Sequence, residues 1–214
     1  MKRPSRKSPA PRGAKGKSKP SAPRRGTGRP PSGNRPAKAV SGEAGDDDAP
    51  DDVARLKLRR LNRDHYALLE PVTAIDRMED IDEVHNMIDG GELEIARDEL
   101  LYLVSDCRGF LEAHNLLGEL ALEEGDIPLA QGHYGFAYEI GLASLPPGFQ
   151  GRLPADKEYN GAFFLSGRGV ARCLIARGQR AKGREVLELL ARLDPEEPHV
   201  RDLLHELAQR EKGS

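Results

Sequence analysis

The chain contains no tryptophan and only 5% aromatic residues, so any core has to come from aliphatic side chains and alanine. It has two cysteines, Cys107 and Cys173. They are too few and too far apart for a disulfide framework, and they lack the Cys-x-x-Cys spacing of a zinc site, so a reducing compartment is expected. No apolar run approaches the ~18 residues that a membrane-spanning helix requires. The charged start, Met1 to Lys7, is followed by prolines and further basic residues rather than by the apolar stretch of a secretion signal. These absences predict a soluble, cytoplasmic protein with no membrane contact. Acidic residues are missing from positions 1–38, which hold 13 Lys and Arg, and a segment of that kind cannot build a core.

The net charge of -2 therefore conceals an asymmetry. Residues 1–70 carry 18 basic against 8 acidic side chains, whereas residues 71–214 carry 15 against 27. Nine of the 16 prolines fall within residues 1–50, and this stretch is expected to be a disordered basic arm, because it buries too little apolar surface to offset the entropy of ordering. The charge changes sign at Glu43 to Asp52. Residues 51–70 are expected to form an amphipathic linking helix, with Asp51 and Asp52 at its N-terminus and Pro71 as its stop.

Beyond Pro71 the apolar residues follow a helical period, strands are expected to be absent, and the breaks fall at Gly90-Gly91, Gly125-Asp126, Pro146-Pro147-Gly148 and Gly178-Gln179. A repeat underlies this spacing. Gly91, Ala96, Leu100 and Leu103 recur 34 residues later as Gly125, Ala130, Tyr134 and Ala137, and again, 53 further on, as Gly178, Gly183, Leu187 and Leu190. The larger offset is a 34-residue period plus a 19-residue insertion over 145–163. Where two helices cross, a small side chain lets the axes approach, as at Gly118, Ala130 and Gly183, while Leu117 and Tyr134 fill the space beside them. A final amphipathic helix over 197–211 is expected to cap the last apolar face.

With Leu117-Gly118, Gly125, Ala130 and Tyr134 in the middle copy and the closing Pro195 in the third, the chain resembles the tetratricopeptide repeat family. The resemblance implies an all-α stack of helical hairpins over residues 71–212, an α-solenoid. It also implies a groove lined by the first helix of each hairpin, here Asn115, Glu119 and Leu122, then Arg168, Arg172 and Ile175. Arg168 and Arg172 share a helical face, and beside Asn115 they are similar to the carboxylate-binding grooves of some members. Pairing of both arginines with Glu119 and Glu123 across the groove is the alternative.

No Gly-rich phosphate loop, His-Glu-x-x-His or Gly-x-Ser-x-Gly is present, so no catalytic residue, cofactor or metal is expected. The six histidines are scattered without a ligand spacing, and Cys173 reads as an apolar filler. The expected function is that of a non-enzymatic adaptor binding a protein or peptide. A second reading assigns non-specific nucleic-acid contact to residues 1–63, through the basic arm and Arg55, Arg59, Arg60 and Arg63.

Overall fold

The structure, a computed structural model, describes residues 56–155 and 159–212. The chain divides into two units, Met1–Gly45 and Asp46–Ser214, and everything described belongs to the second. The expected basic arm, residues 1–50, lies outside the described residues, as do residues 51–55.

The described residues are mostly helical. After a short α1 (Val72–Ile75) come three pairs: α2 (Met78–Asp89) with α3 (Leu93–Asp106), α4 (Leu111–Glu123) with α5 (Ile127–Ala143), and α6 (Gly161–Ala176) with α7 (Arg180–Leu193). A last helix, α8 (Pro198–Lys212), follows. The turn within each pair is the same device used three times. Gly91, Gly125 and Gly178 all adopt φ 79°, a left-handed conformation that costs glycine little. Each donates its N–H to the carbonyl three residues back, at Ile88, Leu122 and Ile175. The following N–H reaches the carbonyls of Met87, Ala121 and Leu174, so carbonyls that a helix end would leave unpaired are satisfied. The far ends of α3 and α7 also match: Cys107 and Asp194 are extended, with φ -132° and ψ 94° in one and φ -139° and ψ 95° in the other. The first and third pairs thus share one register, and the extra residues lie between α5 and α6.

Close helix crossings depend on missing side chains. The Tyr134 ring of α5 lies between α4 and α6, where a Cβ at Gly118 would stand 2.8 Å from it and a Cβ at Gly169 would clash with it outright. Gly183 performs the same office against Ile175, 2.7 Å from its notional Cβ. Two clusters make up the core. One gathers Ile81, Leu100, Phe110 and Leu117 around α2, α3 and the start of α4, and the other gathers Phe163, Phe164, Leu187 and Leu190 around α5 to α8. The helix between them, α4, packs on α3, α5 and α6.

The expected linking helix over 51–70 is corrected by an antiparallel hairpin, β1 (Lys57–Arg60) and β2 (Tyr66–Leu69). Leu58 stands opposite Leu68 and Arg60 opposite Tyr66. Asn62 closes the connection by accepting the N–H groups of Asp64 and His65 on Oδ1, which gives the backbone a local alternative to a helical turn. The remaining support is remote in sequence. Tyr66 donates to the Arg152 carbonyl at 2.8 Å, Arg152 to the Asp64 carbonyl at 2.7 Å, and Leu68 to Oδ1 of Asn160 at 3.0 Å. Asn160, fully buried, returns its amide N–H groups to the carbonyls of Tyr66 and Pro154. The insertion therefore packs back onto the helices and the hairpin: Leu153 is buried, and the Phe149 ring meets Tyr66 edge-on at 5.1 Å.

Candidate protein-binding face

The residues expected to line a groove do not all end in one place. Asn115 is fully buried: its amide donates to the Ala162 carbonyl at 2.9 Å, and its Oδ1 accepts the Ser166 hydroxyl at 2.7 Å. It ties α4 to α6 and offers nothing to a ligand. Arg168 is turned to the start of α8, where Nη1 meets Oε1 of the buried Glu197 at 2.6 Å. That carboxylate also accepts the Val200 N–H and lies 2.9 Å from His199 Nδ1, so one acidic group caps α8 and holds it to α6. Neither the expected pair of free arginines nor its alternative, with Arg168 held by Glu119 or Glu123, describes Arg168.

What does come together is a set of carboxylates on α4, Glu112, Glu119 and Glu123, with His85 of α2 and Arg172 of α6 against them. Glu119 and Arg172 are both exposed, with His85 beside them on α2, while Leu122, Ile175 and Glu112 are half-buried. Burial raises the Glu119 carboxyl above its ordinary value; the His85 charge opposes this, Glu123 adds to it and Arg172 opposes it. Glu112 is likewise raised by burial, relieved by His85 and raised again by Glu119. At the start of α4, burial pushes Glu70 up to about 8; the Glu112 charge adds to this and the Leu111 N–H works against it. Each carboxylate is disfavoured by partial desolvation and by a neighbouring carboxylate; His85 opposes this at Glu112 and Glu119, Arg172 at Glu119, and the Leu111 N–H at Glu70.

The basic residues of the second reading are not arranged as a helical stripe. Arg59 lies over the Tyr159 ring at 4.8 Å and Arg60 donates to the Asn62 carbonyl at 2.8 Å, while Arg55 lies outside the described residues. A cleft of about 1080 Å³ opens between the hairpin turn, the insertion and the start of α8, lined by His65, Arg152, Phe164, Arg168, Glu197 and His199. The Arg168, Glu197 and His199 side chains are engaged with one another there. A smaller pocket, about 460 Å³, lies between the end of α3, the start of α4 and α5. Sequence reasoning did not find it.

Among the described residues, no group of three or more His, Cys, Asp or Glu is placed to hold a metal ion, and no helix is long and apolar enough to cross a membrane. Cys107 and Cys173 are both buried and unpaired with each other. No protein-family model matches the chain, and no curated protein matches it. Among solved structures, the type III secretion translocator chaperone SycD of Yersinia enterocolitica, in a structure described as an alternative dimer, is similar at 18% identity. The likeness covers 63% of this chain and 88% of that one, with a TM-score of 0.44.

Proposed function

We propose that this protein is a non-enzymatic adaptor built as a stack of tetratricopeptide-like hairpins, and that it binds a cationic polypeptide segment along the face of α2, α4 and α6. The observation that carries the reading is the crowding of carboxylates on that face. Glu112 and Glu119 both stand above their ordinary pKa, with His85 opposing both shifts and Arg172 opposing that of Glu119. A lysine or arginine side chain laid there favours the charged form of the carboxylates and gains charge-assisted hydrogen bonds. Half-buried Leu122 and Ile175 supply apolar contact beside the charges. The repeated glycine turn at Gly91, Gly125 and Gly178 supports the stacked-hairpin architecture, in which such a face belongs to the first helix of each pair.

The sign of one substitution separates this reading from carboxylate recognition. Arg172→Glu removes a cation from the face. By reversing an exposed charge it should strengthen binding of a fluorescein-labelled Lys/Leu peptide by about three- to tenfold at low salt, an effect of roughly 1 kcal/mol. The corresponding Glu/Leu peptide should be unaffected. Weakened capture of the Glu/Leu peptide, with the Lys/Leu peptide unchanged, would establish Arg172 as part of a carboxylate clamp and end the present reading.

A further inference from the structure

The smaller pocket has two features that the fold does not require. The first is Gly132, midway along α5. A glycine inside a helix costs roughly 1 kcal/mol relative to alanine, and the other glycines within described helices of the three pairs each have a neighbour that a Cβ would meet. Gly118 and Gly169 make room for Tyr134, Gly141 for Phe163, Gly167 for Leu190 and Gly183 for Ile175. Gly135 and Gly161 would meet only ordinary contacts, at 3.5 and 3.9 Å; at Gly132 a Cβ would meet nothing within 4 Å, and Gly132 is the one of these positions that lines the pocket. The second feature is His114. Its ring is part of the pocket wall and is 7% exposed. Nε2 lies 3.2 Å from the Arg108 carbonyl, an acceptor, so Nε2 carries the proton and Nδ1 is left as an acceptor. That Nδ1 is buried and has no hydrogen-bond partner, at a cost of about 1–3 kcal/mol.

We propose that this pocket receives a tryptophan side chain from a partner protein, with the indole N–H donating to Nδ1 of His114 and the rings packing among His133, Phe136 and Leu129. The missing hydrogen-bond partner has to be a donor. Tryptophan is a donor only, so one acceptor satisfies it completely, whereas a buried tyrosine hydroxyl would bring an acceptor of its own. The walls are already ring-lined: Phe136 is 4.8 Å and His133 6.0 Å from the His114 ring. Phe136 remains 40% exposed and Leu129 45%, so Phe136 can swing aside to admit the indole, and both gain burial when it is seated. A shallow, open pocket of this size suits an anchor side chain projecting from a protein surface better than a free small molecule, which requires enclosure. The guest is foreign because the chain contains no tryptophan. Burial, together with the His133 charge, holds His114 down to about 4 against the bond to the Arg108 carbonyl, so the acceptor form persists at neutral pH. None of the residues that line this pocket belongs to the acidic face, and the site does not rest on the cationic-peptide reading.

The test is a titration of the full chain, labelled with ¹⁵N, against N-acetyl-tryptophanamide and against its indole N-methyl derivative, which fills the same space without the donor. The expected result is a set of shifts at Leu129, Gly132, His133 and Phe136, with affinity for the methylated probe lower by about tenfold, the worth of one hydrogen bond to a desolvated acceptor. In His114→Leu the two probes should bind alike. Gly132→Leu should fill the pocket and abolish the shifts while leaving circular dichroism unchanged, since a side chain there enters open space. Equal affinity of the wild-type chain for both probes, or undiminished binding by a folded Gly132→Leu, would overturn the proposal. So would the absence of shifts at these residues up to the solubility limit of the probe.

Discussion

At the scale of single residues, Tyr134 shows how tightly the middle of the array is specified. Its ring is clamped between Gly118 of α4 and Gly169 of α6, so one methyl group on either side forces a shift of helix or ring. Gly169→Ala is expected to lower stability by about 1–3 kcal/mol, the range of overpacking in a full core, read from the midpoint of urea unfolding at unchanged slope. Gly118→Ala should behave alike. Gly132→Ala, whose Cβ meets open space, should instead gain about 0.4–1 kcal/mol. Gly118 and Tyr134 were legible from the sequence as a small residue and its large neighbour at repeat spacing. Gly169 was not, because the contact that needs it crosses from one hairpin to the next, and the period constrains positions within a hairpin.

Glu70 makes a second residue-scale test, with a definite sign. Its folded pKa is about 8, above the ordinary carboxyl value of 4.5, so between those two pH values the folded state holds a proton that the unfolded state has released. Stability contributed by this group is present below about pH 4.5 and is lost as the pH rises through about 8. His114 acts oppositely: its folded pKa of about 4 lies below 6.5, so it lowers stability as the pH falls through that interval. Comparing Glu70→Gln with the wild type cancels the histidine. The variant should show a higher thermal midpoint than the wild type at pH 9, with the gap shrinking towards pH 5. A gap independent of pH would mean that Glu70 ionises normally.

At the scale of elements, the hairpin of β1 and β2 is the clearest lesson in what a local pattern cannot carry. Leu56, Leu58, Tyr66 and Leu68 fit an alternating strand, yet the same stretch contains leucines that also fall on a helical face. The choice is made by Asn160 and Arg152, more than 80 residues away, which hold the hairpin through side-chain and backbone hydrogen bonds. The hairpin and the insertion should therefore loosen together. Asn160→Ala strands the buried Leu68 N–H, at a cost of about 1–3 kcal/mol. Hydrogen exchange should then speed up at Leu68 and at Tyr66, while α2 and α3 keep their protection. Loss of protection spread evenly over all helices would show that the hairpin is not a separate unit. The glycine turns lie at the other extreme. Their left-handed φ is demanded locally, and for that reason their spacing alone located the three helix pairs.

At the scale of the whole molecule, the acidic excess of residues 71–214 is concentrated in function by its placement. Glu112 and Glu119 share a face with His85 and Arg172, whereas Asn115 and Arg168, at equally good helical spacing, are used inside the protein by Ser166 and Glu197. Helical spacing put all of them on one side of their helices. It did not show that α6 would cover Asn115 or that α8 would present a buried carboxylate to Arg168, because both depend on how successive helices stack. The most direct measurement of the central claim is an amide-shift titration of the full chain with a lysine-rich peptide at low and at high salt. The account predicts that His85, Glu112, Glu119 and Arg172 shift together at low salt, with the response fading as screening shortens to within about 10 Å. Shifts confined to other surfaces, or none on α2, α4 and α6, would contradict it.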